Sequence, residues 1–269
     1  MSPFDVKAIE KNRTANGKGL DNIVKPVIIA HRGASKMAPE NTMPAFRKAL
    51  QLGTGGIELD VHLSSDGHLM VTHDEQLERT STGHGLLKTK TFAELRDLDF
   101  GSWFSPEFRG TKIPELEEVL ELISGWDGLL NIEIKNGPIF YPGIEQAVAD
   151  TLRKYNRIRY TIISSFNHYS LVEIRRINPE IRTAPLYMAG IYEPWKYAKR
   201  LGACAIHPLF YNIVLEVMKG CKLNGIMVNP YTVDQPEYIK AMASAGVNGI
   251  ITNVPDVALK IIKEMGGAS

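Results

Sequence analysis

Residues 57–73 have the sequence IELDVHLSSDGHLMVTH, which decides the fold class. In its first part apolar residues alternate with Glu58 and Asp60, the pattern of a strand with one apolar and one polar face. The SSDG segment at 64–67 is a hairpin turn signal, and it is much shorter than the crossover that a parallel strand needs. We therefore predict that Leu69–His73 folds back antiparallel on the strand Ile57–Val61.

Seven further apolar runs rich in Val and Ile flank this hairpin and alternate with segments of helical spacing. Alternation of this kind favours parallel strands, and eight such units favour closure into a barrel. An open doubly wound sheet is the alternative, but no G-x-G-x-x-G follows the first strand. We predict an α/β protein with a (β/α)8 TIM barrel. Its predicted strands are Val27–His31, Ile57–Val61, Leu129–Ile134, Tyr160–Ser164, Thr183–Tyr187, Ala203–Ile206, Gly225–Asn229 and Gly249–Thr252.

Helical segments separate these runs, and several begin with proline or end before glycine. We predict a single domain over residues 26–265, with an N-terminal extension over 1–25. Residues 74–112 depart from the alternation and are predicted to form an excursion of loops and short helices over the barrel mouth. The predicted helices are Met43–Leu52, Phe92–Leu98, Pro114–Ile123, Gly143–Tyr155, Tyr169–Ile177, Pro194–Leu201, Tyr211–Cys221, Gln235–Ala245 and Val254–Met265.

Composition and charge exclude several classes of protein. The chain has 269 residues, 44% of them apolar and 23% charged, which is ordinary for a folded domain. Lys and Arg total 31 against 30 for Asp and Glu, so we predict no nucleic-acid partner. The two cysteines, Cys204 and Cys221, are too few for a disulfide framework.

Targeting signals are also missing from the sequence. No apolar run has the length that a bilayer requires, and residues 1–24 lack the apolar segment of a signal peptide. We therefore predict a cytoplasmic protein without stable membrane insertion, whose partner is a small molecule. The sequence is compatible with any oligomeric state.

Three carboxylates are predicted to point into the barrel. Glu58 and Asp60 share one face of the second strand, and Glu133 lies on the polar face of the third. Burying bare carboxylates is costly unless a cation compensates them. A salt-bridge cluster with Arg32 and Lys135 would provide that charge. A metal site is the alternative that we favour, and all-oxygen ligands point to one divalent cation, Mg2+ or Ca2+. Such a site would be net positive and would suit a phosphodiester.

Two histidines end neighbouring strands close to these carboxylates. His31 follows the first strand, and the hairpin carries His73 to the same rim, where the active sites of barrels lie. Phosphodiester cleavage needs one base and one acid, and two imidazoles can share these tasks. The sequence leaves open which histidine is acid and which is base. His207 ends another strand, and we predict that it contacts substrate.

Several motifs resemble, in the right order, those of the glycerophosphodiester phosphodiesterases, relatives of the phosphatidylinositol-phospholipase-C-like barrels. The resemblance extends from Val27 to Ala258, nearly the whole chain. Each fragment alone has little specificity, whereas the ordered set is highly specific. The motifs are HRGA at 31–34, PENT at 39–42, ELDV at 58–61, DG at 66–67, VTHD at 71–74, LERTS at 77–81, NIEIK at 131–135 and GIITNVP at 249–255.

The resemblance implies an enzyme that hydrolyses glycerophosphodiesters to sn-glycerol 3-phosphate and an alcohol, with a divalent cation. It implies an acid/base role for His31 and His73. The metal ligands that it implies are Glu58, Asp60 and Glu133. The implied phosphate-contacting cations are Arg32 and Lys135. Glu40 and Asn41 resemble a pair that organises the site, with Asn41 holding either His31 or the metal shell. The attacking group would be a hydroxyl of the substrate or a water molecule.

The sequence departs from the family pattern in three places. The family often has Trp-Thr-Val-Asn where this chain has YTVD at 231–234, so Tyr231 replaces a larger aromatic residue and is predicted to contact substrate. Asn248 and Asn253 stand where Asp is common in the family. We expect these changes to affect the substrate rim and the choice of alcohol rather than the reaction class.

Four alternatives to this function share part of the pattern. A sphingomyelinase-D-like enzyme would share the plan but is usually secreted and carries disulfides. A lysophospholipase D would need an apolar entrance, which Trp103, Phe104 and Phe108 could form, although packing of the excursion is the simpler interpretation. A protein that binds a phosphorylated ligand without turnover would lack a site residue. A sugar-phosphate aldolase would use Lys135 as a Schiff-base lysine.

Overall fold

The computed structural model describes residues 25–266. The predicted N-terminal extension therefore lies outside the described residues except for Lys25. All predicted strands are present, with ends shifted by two residues or fewer. The strands are β1 (Val27–Ala30), β2 (Gly56–Leu63), β3 (Leu69–Val71), β4 (Leu129–Ile134), β5 (Thr161–Ser165), β6 (Arg182–Tyr187), β7 (Ala205–Pro208), β8 (Met227–Val228) and β9 (Gly249–Thr252).

Eight of these strands form a parallel sheet in the order β8-β7-β6-β5-β4-β2-β1-β9. The two ends of the sheet meet, because the N–H of Asn248 donates to the carbonyl of Val228 and that of Ile251 to Pro230. Helices lie between successive parallel strands and provide the crossovers that parallel pairing needs. The predicted (β/α)8 barrel is confirmed.

The helices also follow the predicted periodicity. One start was wrong: the helix predicted from Tyr211 begins at Leu215. A short 3-10 turn, Phe210–Asn212, comes first, and Val214 is extended before the helix starts. The helices are α1 (Met43–Leu52), α2 (Phe92–Asp97), α3 (Leu116–Leu122), α4 (Ile144–Lys154), α5 (His168–Ile177), α6 (Pro194–Leu201), α7 (Leu215–Leu223), α8 (Pro236–Ala245) and α9 (Pro255–Gly266). Within residues 25–266, no helix combines the length and the apolar character needed to cross a membrane.

The predicted hairpin is present, since β3 pairs antiparallel with β2 in the register Val61↔Val71. The segment that follows has a small core of its own beside the barrel. Trp103, Phe104 and Phe108 make edge-to-face ring contacts, so these aromatic residues pack on one another. The buried residues of this small core are Met70, Leu77, Leu87, Leu95, Phe100 and Ile113.

The register of β2 and β4 brings the polar residues of the two strands together. Glu58 pairs with Asn131 and Asp60 pairs with Glu133, so both pairs face the same side of the sheet. Their apolar neighbours, including Leu59 in β2, are fully buried on the opposite side, among residues of the surrounding helices. The sheet therefore places four polar side chains inside the barrel near its carboxyl end.

Candidate active site

The loop after β1 forms the first part of the site, and its backbone turns tightly. Arg32 and Asn41 have positive φ angles of 57° and 56°, a region that residues other than glycine rarely adopt. Gly33 has a φ of 79°, and a Cβ there would lie 2.7 Å from the backbone of Ala45. In this conformation the N–H of Arg32 donates to Oε2 of Glu58 at 2.8 Å. The loop thereby fixes its own position relative to the first carboxylate.

Three carboxylates converge at the carboxyl ends of β2 and β4. Glu58, Asp60 and Glu133 are all buried, and one oxygen from each lies within 4.8 Å of the others. Burial raises the pKa of Glu58 well above its ordinary value, and the charges of Asp60 and Glu133 raise it further. Burial and Asp60 likewise raise the pKa of Glu133. Burial alone would also raise that of Asp60, but Lys135 and Arg32 hold its pKa well below its usual range.

Two cations contact this carboxylate triad. Nζ of Lys135 lies 2.8 Å from Glu133 Oε1 and 3.8 Å from Asp60 Oδ1, while Nε of Arg32 lies 3.5 Å from Asp60 Oδ2. The salt-bridge cluster considered from the sequence is therefore present in part. Two unit charges do not compensate three carboxylates, so repulsion among the carboxylates adds to burial, the larger cause, in raising the pKa values of Glu58 and Glu133.

The donor set suits a divalent cation. Asp60 Oδ1 is buried and accepts no hydrogen bond from the described residues, which is costly for a carboxylate oxygen. Carboxylate oxygens are the ligands that Mg2+ and Ca2+ prefer. A divalent cation among Glu58, Asp60 and Glu133 would occupy the free oxygen and leave the cluster net positive.

Asn41 and Glu40 organise the site from the same loop. Nδ2 of Asn41 donates to Asp60 Oδ2 at 2.8 Å, a contact that favours the predicted role at the metal shell over the one at His31. Glu40 accepts from Arg32 at 2.8 Å and from Arg79 at 2.7 Å. Glu40 thus joins the predicted phosphate-contacting arginine to a second arginine that sequence reasoning had not assigned to the site.

The chain of charged residues continues to His73. Arg79 donates to Asp74, and Asp74 Oδ1 lies 2.5 Å from Nδ1 of His73. Burial opposes ionisation of Asp74, but its hydrogen bonds with His73 and Arg79 hold its pKa well below its usual range. His73 therefore has a carboxylate as its direct partner. Asp74 lies in the VTHD motif and Arg79 in the LERTS motif, and this membership was the signal in the sequence that could have assigned them to the site.

His73 has a second anchor on its backbone. His62 is buried, and its Nε2 lies 3.0 Å from the carbonyl oxygen of His73, which can only accept. The Nδ1 of His62 then accepts from the hydroxyl of Tyr141 at 2.9 Å. Burial lowers the pKa of His62 to about 4, in keeping with this neutral form. Sequence reasoning missed Tyr141, which is 79 residues away from His62.

His31 has a neutral direct partner. Its Nδ1 lies 2.7 Å from Oδ1 of Asn253, and its Nε2 lies 3.9 Å from Glu58. Burial and the neighbouring Arg32 lower the pKa of His31 to about 4. Asn253 therefore contacts a predicted acid/base residue and not only the substrate rim, while its effect on the choice of alcohol stays a prediction. Asp234, another departure, accepts a hydrogen bond from Asn253 at 2.7 Å.

The structure does not support the predicted contact of His207 with substrate. His207 is fully buried, and its Nε2 lies 3.1 Å from Nδ2 of Asn229. Its side chain therefore has no exposed surface, and its contact with substrate stays a prediction. Tyr231 is half-buried; its hydroxyl donates to the carbonyl of Tyr187 and its ring meets Phe166 edge-to-face. Contact of Tyr231 with substrate remains a prediction.

The fold and the site together define a class of protein. A (β/α)8 barrel with a buried carboxylate triad, two cations and two histidines at its carboxyl end is equipped for phosphodiester hydrolysis. Comparison with known proteins identifies the family. The model of the glycerophosphoryl diester phosphodiesterase family matches residues 31–257. The chain belongs to this family, as its motifs predicted, and the predicted enzyme class is confirmed.

Individual relatives agree with this assignment. The chain is 46% identical over 243 residues, 90% of its length and 100% of the relative, to a glycerophosphodiester phosphodiesterase of Caldanaerobacter subterraneus. A crystal structure from Silicibacter pomeroyi, assigned to the glycerophosphoryl diester phosphodiesterases, has a TM-score of 0.83 at 28% identity, covering 90% of this chain and 95% of that one. A phosphodiesterase of Oleispira antarctica in complex with sn-glycerol-3-phosphate has a TM-score of 0.80 at 29% identity, covering 89% and 97%.

Proposed function

We propose that this protein hydrolyses glycerophosphodiesters to sn-glycerol 3-phosphate and an alcohol by acid/base catalysis with two histidines and one divalent cation. The observation that carries the proposal is the convergence of His31, His73 and the carboxylate triad at one end of the barrel. The product complex of the Oleispira antarctica relative supports the choice of glycerol 3-phosphate as a product.

The two histidines would share the proton transfers. One imidazole removes a proton from the attacking oxygen as that oxygen bonds to phosphorus, the bond between phosphorus and the alcohol oxygen breaks, and the other imidazole protonates the leaving alcohol. His73 is paired directly with a carboxylate and His31 with an amide, so the two rings have different surroundings. Different surroundings are the usual means by which an enzyme separates an acid from a base.

The charged groups would bind and polarise the phosphate. A cation held by Glu58, Asp60 and Glu133 would act as a Lewis acid on a phosphoryl oxygen, and the oxygen ligands favour Mg2+ or Ca2+. Arg32 and Lys135 border the same carboxylates and would contact the remaining phosphate oxygens. Glu40 and Asn41 would keep Arg32 and Asp60 in place through their hydrogen bonds.

The proposal is tested by measuring release of glycerol 3-phosphate from glycerophosphocholine and glycerophosphoethanolamine. The reaction is run with Mg2+, with Ca2+ and with EDTA. We expect release with at least one cation and none with EDTA. Release that is equally fast in EDTA would refute the metal site. If neither diester is cleaved but a lysophospholipid is, the reaction class stands and the proposed substrate does not.

A further inference from the structure

We propose that Asp234 and Asn253 form a positioning pair that holds the His31 ring in one orientation and one tautomer for proton transfer. The inference rests on the proposed catalytic role of His31. Neither residue contacts the carboxylate triad through any hydrogen bond among the described residues. Both act through His31, so they are positioning residues rather than catalytic ones.

The pair joins two loops at the carboxyl end of the barrel. Asp234 follows β8, and Asn253 follows β9 directly. Asp234 Oδ1 accepts from the backbone N–H of Asn253 at 2.8 Å and from the hydroxyl of Thr252 at 3.1 Å. Its Oδ2 accepts from Asn253 Nδ2 at 2.7 Å. Three donors on one carboxylate fix both the end of β9 and the side chain of Asn253.

These bonds determine which way the Asn253 amide faces. A carboxylate only accepts, so the NH2 group of Asn253 must point toward Asp234. Its Oδ1 then faces His31 Nδ1 at 2.7 Å and also accepts from the hydroxyl of Ser35 at 2.9 Å. An acceptor at this place requires a proton on Nδ1 of His31.

The tautomer of His31 follows from this contact. With a proton on Nδ1, the neutral ring presents the lone pair of Nε2 on its other side, toward the carboxylate triad. A flipped amide would offer two donor groups to Nδ1 and would favour the opposite tautomer. Asp234 therefore sets the tautomer of His31 through Asn253, without contacting the ring, so that the unprotonated Nε2 faces the carboxylate triad.

A reciprocal exchange of the two side chains tests the pair. In Asp234→Asn, an NH2 group meets the donors of Asn253, and in Asn253→Asp two carboxylates face each other. The double variant Asp234→Asn/Asn253→Asp restores complementary bonds, because the new amide at position 234 would donate to the new carboxylate at position 253 and accept from the backbone. We expect kcat to fall about ten- to a hundredfold in each single variant with KM nearly unchanged, and to recover at least in part in the double variant.

The matched control is Asn248→Asp, the same chemical change at the amino end of β9, away from the site, so the expectation that position 248 lies at the substrate rim was wrong. Asn248 is exposed, and its Oδ1 accepts from the N–H of Val228, which Asp can also do. We expect wild-type kcat. Single variants with wild-type kcat would overturn the proposal. A double variant whose kcat per folded molecule is no higher than that of the single variants would overturn it as well.

A second measurement does not depend on activity. In protein with 15N-labelled histidine, the ring nitrogen signals of His31 are assigned by their loss in His31→Ala. We expect a single tautomer protonated at Nδ1 in the wild type and a mixture in Asp234→Asn. A wild-type ring protonated at Nε2 alone would overturn the proposal even if the diesters are hydrolysed. A correct tautomer in an enzyme that cleaves no diester would instead refute only the proposed function.

Discussion

The two halves of the barrel interior hold polar groups in different ways. Strands β1, β2 and β4 bring Glu58, Asp60 and Glu133 to the mouth together with cations. Strands β5 to β8 and their carboxyl ends bury only uncharged polar groups, such as Ser164, Asn229 and the neutral His207. Burial keeps His207 uncharged by lowering its pKa to about 3. The comparison shows that the barrel accepts charge only where opposite charges are packed beside it.

The largest expected effect is at the histidines of the charged half. In His31→Ala or His73→Ala, one proton transfer loses its side chain, and we expect kcat to fall about 100- to 10,000-fold. The measurement is release of glycerol 3-phosphate, with thermal unfolding to confirm an intact fold. His84, whose side chain is 87% exposed, provides the control variant His84→Ala, which should keep the wild-type kcat. A near-normal kcat in either His31→Ala or His73→Ala would remove the acid/base assignment.

The carboxylates give the next largest effect. Glu58→Gln and Asp60→Asn each remove one charge from the triad, so we expect the affinity for the activating cation to fall at least tenfold. Titration calorimetry with Mg2+ and Ca2+ measures this directly. The control is Glu173→Gln, which alters an exposed pair with Arg176 on α5. Unchanged affinity in both triad variants would mean that the carboxylates serve only as a salt-bridge cluster.

Asn41 should produce a smaller effect of the same kind. Removal of its 2.8 Å bond in Asn41→Ala frees Asp60 without changing any charge. We expect cation affinity to fall about ten- to a hundredfold, as for other groups that orient a metal ligand. Excess cation should restore most of the kcat. A kcat that stays low at saturating cation would show that Asn41 acts on catalysis by another route.

A substitution among the uncharged polar groups of β5 to β8 should change stability rather than kcat. The unfolded chain protonates His207 near pH 6.5, whereas the folded chain does so only near pH 3. Stability is therefore lost as the pH falls below 6.5, and His207→Gln removes this loss. Between pH 8 and pH 5, the free energy of unfolding of the variant should decrease by about 2 kcal/mol less than that of the wild type. Urea unfolding measures the difference, and kcat should stay within about twofold. An equal decrease in both proteins would mean that protonation of His207 does not contribute to the loss of stability at low pH.

Local signals explain why so much of the fold was predictable. The Asp66-Gly67 turn and the short spacing after β2 predicted the β2–β3 hairpin. Helical spacing predicted α1 and α6 to the residue. The prediction failed at α7, where a 3-10 turn competes for the same residues as the helix start. Such competition is decided by packing and is invisible to periodicity.

The carboxylate triad was predictable for a similar reason. Alternation within a strand places Glu58 and Asp60 on one face whatever the partner strand is. Glu133 was predicted to lie beside them because it is on the polar face of the next parallel strand. By contrast, the burial of His207 depends on how other strands fill the interior, so its position at a strand end suggested an accessible side chain, whereas the structure buries it completely.

The sequence by itself determined the order of strands, their polar faces, the hairpin and the charged residues of the site. Only the tertiary structure decided which residues hold the two histidines. Asn253 and His31 are 222 residues apart and meet because β9 closes the barrel against β1. Tyr141 meets His62 because the loop after β4 returns over β2. Local propensities act over a few residues, whereas these contacts exist only when the closed sheet brings distant strand ends to one rim.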